Sequence, residues 1–203
     1  MTFISTIAPD EAIDAVADMY RRQQNSWGFV PNYAKVFSHR PEVMARWGQL
    51  LAEIKRPMDK RRFELVTFAA AHELRHSACA LAHGKALREF FSDEEIVAVA
   101  EGRPQAFLGD AEQALLSFAR RVAADASQIT HDDVAALREL GYSDAEVFDV
   151  AAAAAGRAFF TKLLDALGVM ADAPFLGIEE RLRRALTVGR PIDPQPCAEM
   201  PNP

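Results

Sequence analysis

The chain has 203 residues, half of them hydrophobic and 26% charged, and carries a net charge of −6. It is long enough for one large helical domain with a substantial core. The acidic balance, with no basic run, argues against a nucleic-acid or anionic-membrane partner.

No apolar run approaches the roughly 18 residues needed to span a bilayer. The N-terminal Met-Thr-Phe-Ile-Ser-Thr lacks the basic-then-apolar layout of a signal peptide. Two cysteines, Cys79 and Cys197, do not suggest a disulfide framework. The expectation is a cytoplasmic protein with reduced thiols.

Residues 9–26 read as a helix with Pro9 near its start, and Ile13, Val16, Ala17 and Tyr20 supply its apolar face. Gly28 and Pro31 make 27–32 a turn whose aromatics, Trp27 and Phe29, are expected to be buried. A short helix over 33–38 and a longer one from Pro41 to 55 follow, and Pro57 ends the pattern. A helix then starts near Asp59.

Further on, Ser92 to Glu95 and Ser143 to Glu146 are capping boxes, and Thr130 to Asp133 is a looser one. Residues 110–125 are amphipathic, and an Ala-rich helix runs from 144 to 167, where Gly168 stops it. A short charged helix is expected over 178–187, then a proline-rich, poorly ordered tail. No segment alternates like a strand. The fold class is all-α: a domain over 1–170, with 171–203 as a C-terminal extension. Residues 43–86 and 112–160 share one pattern, consistent with a duplicated helical hairpin.

Residues 64–84 concentrate the chemistry, with three of the five histidines and one of the two cysteines. On a single helix, turning about 100° per residue, His72, His76, Cys79 and His83 fall within roughly 60° of one another. Glu64 lies about 80° to one side.

The pattern Glu64, eleven residues, His76-Ser77-Ala78-Cys79, three residues, His83 resembles the signature of the alkylhydroperoxidase D-like and carboxymuconolactone decarboxylase superfamily. Gly28-Phe29-Val30-Pro31-Asn32, Arg40-Pro41-Glu42, and the run from Leu137 through Val169 look like its flanks, so the likeness covers about 8–170. The resemblance implies a helical bundle, a homo-oligomer, and a small-molecule site at Glu64, Cys79 and His83. Peroxidase or antioxidant activity belongs to the dithiol members, and the resemblance carries over fold and site location rather than that reaction. The small residues 151–156 suit a subunit interface.

His76 stands where peroxidase members carry the first cysteine of C-x-x-C, so the dithiol is missing. The leading expectation is therefore a single-thiol redox site, with Cys79 reactive, His83 and His76 moving protons and Glu64 orienting an imidazole. Cys197 is a candidate resolving thiol. The alternative is acid–base chemistry of decarboxylase or lactone type, with Cys79 structural.

Each residue also has an ordinary reading. Cys79 suits a small buried position, His83 a helix end, and Glu64 a surface pair with Lys60. His131 and His39 look like surface and loop residues. No cofactor is expected. A metal on His72, His76, Cys79 and His83 is a further alternative, although four ligands on one straight helix cannot reach one ion. A non-enzymatic helical oligomer completes the set.

Overall fold

A computed structural model describes residues 2–201. Its ten α-helices are α1 (Asp14–Trp27), α2 (Asn32–Val36), α3 (Pro41–Lys55), α4 (Lys60–Glu73), α5 (Ser77–Leu87), α6 (Asp93–Ala100), α7 (Asp110–Asp125), α8 (His131–Glu139), α9 (Asp144–Ala166) and α10 (Glu180–Leu186). Extended pairing among the described residues is limited to two isolated bridges.

Helix starts follow the capping signals closely. The Ser92, Thr130 and Ser143 hydroxyls each cap a backbone N–H, and the acidic residue three positions on caps back. At the front of the chain the expected helix from residue 9 is two pieces, a 3₁₀ turn (Pro9–Glu11) and then α1. Gly28, with φ of 83°, ends α1 in the left-handed conformation that glycine adopts without strain. Trp27, expected to be buried, is 42% exposed.

Helix α4 is nearly all buried, from Phe63 through Ala71. Around it packs a core to which α5, α6, α7, α9 and α10 contribute, through residues such as Leu81, Ile96, Leu116, Val150 and Leu186. A second cluster joins α1, α2 and α3 to the C-terminal half of α9 through Tyr20, Trp47, Phe160 and Leu164. The alanines of α9 permit close approach: Ala153 and Ala154 are buried, and a Cβ on Gly156 would lie 3.3 Å from Trp47. Part of the small-residue run expected at a subunit face thus serves packing within the chain. The two hairpins do not match helix for helix, because α9 is continuous where α4 and α5 are separate.

The tail also differs from expectation. Val30 pairs with Ala198, Ala171 pairs with Ile192, and Met200 is 8% exposed. Its prolines keep it out of helix, but extended backbone still forms bridges, and Met200 adds an apolar anchor.

Candidate functional site

The 64–84 stretch is two helices rather than one. Leu74 caps α4, and Arg75 takes the left-handed region at φ of 56°. His76 N–H then donates to the Ala71 carbonyl and Arg75 N–H to that of His72, at 3.0 Å each. This is the Schellman closure, built here without glycine. Placing an L-residue there costs about 1–2 kcal/mol. Three contacts offset that cost. The imidazole Nδ1 of His76 accepts from Cys79 N–H at 3.1 Å, capping α5. Arg75 Nε donates to the Val188 carbonyl at 3.2 Å, and Gly189 N–H donates to Ser77 Oγ at 2.9 Å.

The break has chemical consequences. It places Cys79 in the first turn of an 11-residue helix, where the dipole favours negative charge. It also dissolves the four-residue stripe. His72 remains on α4 and donates from Nε2 to the Ala185 carbonyl at 3.3 Å, which ties α4 to α10. His76, expected as a proton-transfer group, serves as a helix cap. Its pKa is pushed down to about 4 by burial and by the charges of Arg157 and Arg190. It is therefore neutral, with the proton on a buried Nε2 that has no partner among the described residues.

Glu64 and His83 meet across the α4–α5 hairpin, Oε2 to Nδ1, at 2.6 Å. The expected Glu64–Lys60 surface pair does not form. Lys60 pairs with Glu89, while Glu64 is 5% exposed and has Lys55 Nζ at 3.8 Å. Thr67 Oγ1 donates to the Phe63 carbonyl at 2.7 Å, so towards His83 Nδ1, 3.2 Å away, it acts as acceptor. Both partners of Nδ1 thus place the ring proton there and leave Nε2 as the basic nitrogen. Burial opposes the charge on Glu64, but the His83 hydrogen bond and the nearby His83, Lys55 and Arg157 charges outweigh it, so its pKa is lowered. Burial and then Arg157 lower that of His83. The resting pair is therefore a carboxylate holding a neutral imidazole.

Cys79 Sγ is buried and takes its hydrogen bond from Arg157 Nη1, 3.5 Å away, rather than from His83. Burial raises the thiol pKa, and the Arg157 charge and hydrogen bond oppose that rise without cancelling it. Arg157 is the functional candidate that sequence reasoning missed. Its signal was a lone cation in the otherwise apolar run from Val150 to Phe160. The guanidinium is 5% exposed, has no carboxylate within ion-pair distance among the described residues, and leaves Nε without an acceptor.

Glu64, Cys79, His83 and Arg157 all line one cavity of about 320 Å³. Its walls are mostly apolar, with Trp27, Tyr33, Met44, Trp47, Leu51 and Phe160 among them. Asp172 lines it as well. Burial raises this carboxyl to about 6, against the hydrogen bond it accepts from Asn32 N–H at 2.7 Å. Burial and then Asp172 raise the pKa of Cys197, and both cysteines are free. Among the described residues, no group of three or more His, Cys, Asp or Glu side chains is placed to hold a metal ion.

The fold is that of the alkylhydroperoxidase D core. A peroxidase-related protein with that core from Ralstonia eutropha JMP134 superposes with a TM-score of 0.70 at 20% identity, covering 93% of this chain and 98% of that one. A peroxidase-related protein from Silicibacter sp. TM1040 gives 0.74 at 19% identity, covering 87% and 94%. The debrominase Bmp8, in complex with 2,3,4-tribromopyrrole, gives 0.69 at 18%, covering 92% and 98%. No protein-family model and no curated protein sequence matches the chain.

Proposed function

We propose that the chain is a peroxidase-related oxidoreductase whose redox group is the single thiol of Cys79, acting on a small hydroperoxide-like substrate. One observation carries this reading. A buried thiol, a guanidinium 3.5 Å from its sulfur and an imidazole held by a carboxylate at 2.6 Å converge on one cavity. Peroxidase-related and debrominase neighbours on the same fold support a redox-type role.

Because burial keeps the thiol protonated, a base must act. His83 sits one helical turn beyond Cys79 and presents Nε2. In this reading it takes the thiol proton, Glu64 stabilises the resulting imidazolium, and Arg157 offsets the charge on sulfur. The thiolate attacks one peroxide oxygen, the O–O bond breaks, and the departing alkoxide recovers the proton from His83. Cys79 is left as a sulfenic acid, its sulfur oxidised by two electrons. An external thiol condenses with it, releasing water, and a second thiol reduces the mixed disulfide. His76 takes no step; it holds the first turn of α5.

The runner-up is acid–base chemistry by His83 and Glu64 with a structural Cys79. The raised thiol pKa favours it, since the carboxylate–imidazole pair is complete without the sulfur. Cumene hydroperoxide treatment with dimedone, followed by mass spectrometry, separates the two. The thiol reading expects a dimedone adduct on Cys79, lost in Cys79→Ser. An unlabelled Cys79 under conditions that label Cys197 would leave only the acid–base reading. A homo-oligomer belongs to the proposal too, supported by Phe148 and Phe159, 70% and 48% exposed on α9. Two free thiols suit a reducing, cytoplasmic setting.

A further inference from the structure

Arg157 is more than the thiol hydrogen bond requires. A guanidinium offers five N–H donors and cannot shed its proton. Among the described residues a single donor reaches Cys79 Sγ, Nε is buried without an acceptor, and no carboxylate forms an ion pair with the group. The thiol beside it is held protonated by burial, and Glu64 is committed to His83 and Lys55. Arg157 and Glu64 feel each other's charge, but no carboxylate bonds the guanidinium directly among the described residues, and a buried cation so placed is costly. A site that keeps one facing a cavity is preorganised for an anion from outside.

The walls narrow the anion's shape. Tyr33, Trp47 and Phe160 give the cavity an aromatic lining. Trp47 and Phe37 stack on Phe160, with ring centroids 5.5 and 6.0 Å away and interplanar angles of 14° and 13°, while Tyr33 meets it edge-on at 5.5 Å. Arg157 itself lies 5.7 Å from the Phe160 ring. Flat rings pack against aromatic faces better than tetrahedral carbon does. A cavity of about 320 Å³ lies at the small end of ligand sites, room for about one ring with its substituents. Of the residues lining the cavity, Arg157 alone carries a fixed positive charge, so a negative group would sit on it rather than beside Glu64 or Asp172.

We propose that this cavity binds a small planar aromatic anion, its charged group on the Arg157 guanidinium and its ring among the lining aromatics Tyr33, Trp47 and Phe160. This rests on the reading of the cavity as the site where Cys79 acts, and it narrows the hydroperoxide-like substrate of that site to one carried on such an anion.

The chain's two tryptophans, Trp27 and Trp47, both line the cavity, so intrinsic fluorescence reports occupancy without any turnover. Titration with benzoate should give saturable quenching. Benzamide, flat but neutral, and cyclohexanecarboxylate, charged but not flat, should each bind about tenfold more weakly, the scale of one charge-assisted hydrogen bond. Arg157→Gln should erase the preference for benzoate over benzamide, and Arg157→Lys should retain part of it. Equal binding of benzoate and benzamide by the unmodified protein, absence of saturable benzoate binding, or a preference that survives Arg157→Gln in a helical protein would each overturn the proposal. The comparison of the three probes needs no variant, so misfolding of Arg157→Gln would not decide the matter. Cys79→Ser should keep the benzoate preference. An inert Cys79 alongside intact preference therefore refutes the thiol chemistry alone, and a reactive Cys79 without preference refutes the anion site alone.

Discussion

Cys79 and Arg157 are 78 positions apart in sequence and 3.5 Å apart in space. Burial and the guanidinium pull the thiol in opposite directions, and burial prevails. Removing the cation should therefore push the thiol pKa higher still. Arg157→Gln should slow iodoacetamide alkylation of Cys79 at pH 7 about tenfold or more, because a hydrogen bond to a charged group is worth about 1.5–3 kcal/mol. Mass spectrometry that resolves Cys79 from Cys197 checks this, and an unchanged rate would deny Arg157 its role at the sulfur. Asp172 makes a second residue-scale test. Its folded pKa is about 6 against an ordinary 3.8, so the folded chain holds a proton that the unfolded chain releases between those values. Stability should fall as pH rises through that window. Asp172→Asn keeps an acceptor for Asn32 N–H and removes the penalty. It should stabilise the protein by about 1–3 kcal/mol above pH 6 and lose that advantage near pH 4, as denaturant titrations at the two pH values would show. In sequence, Glu64, Cys79 and His83 could be singled out because donor-bearing side chains recur there at helical spacing. Arg157 could not be paired with them, since nothing local ties a residue of α9 to α5.

At the scale of elements, the α4–α5 junction decides the site, and it is where the sequence was hardest to read. Ala71 to His76 contains no glycine or proline, so local propensity favours a continuous helix. The break is held by tertiary contacts, above all from Val188 and Gly189, more than a hundred positions away. A Cβ on Gly189 would lie 1.9 Å from the Arg75 carbonyl oxygen. Gly189→Ala should therefore displace the segment and destabilise the protein by about 1–3 kcal/mol, with faster limited proteolysis near residue 188. Wild-type proteolysis rates would show the contact to be dispensable. His76 gives the junction a pH dependence. Its folded pKa is about 4 against an ordinary 6.5, so the unfolded chain binds a proton there that the folded chain does not. Its contribution should be complete above pH 6.5 and lost progressively towards pH 4. His76→Asn, which can still cap Cys79 N–H, should flatten that part of the stability profile. By contrast, the starts of α6, α8 and α9 and the span of α7 were legible almost to the residue, because caps and periodicity there agree with the tertiary packing.

At the scale of the molecule, two apolar clusters share α9 as a common wall, and the cavity is lined from both sides by α3, α4, α5 and α9. The all-helical class could be read from periodicity alone. The docked tail could not, because its proline-rich composition is equally compatible with disorder and with a strap, and only partners distant in sequence choose between them. No helix among the described residues is long and apolar enough to cross a membrane. The central claim is that the thiol on this cavity is the redox group, and single-turnover reduction of cumene hydroperoxide tests it most directly. With one equivalent of peroxide and no added reductant, the wild type and Cys197→Ser should each convert close to one equivalent to the alcohol. Cys79→Ser should convert none, and His83→Ala should be slowed about 100-fold or more, the scale of a lost general base. Equal conversion by Cys79→Ser and the wild type would contradict the account.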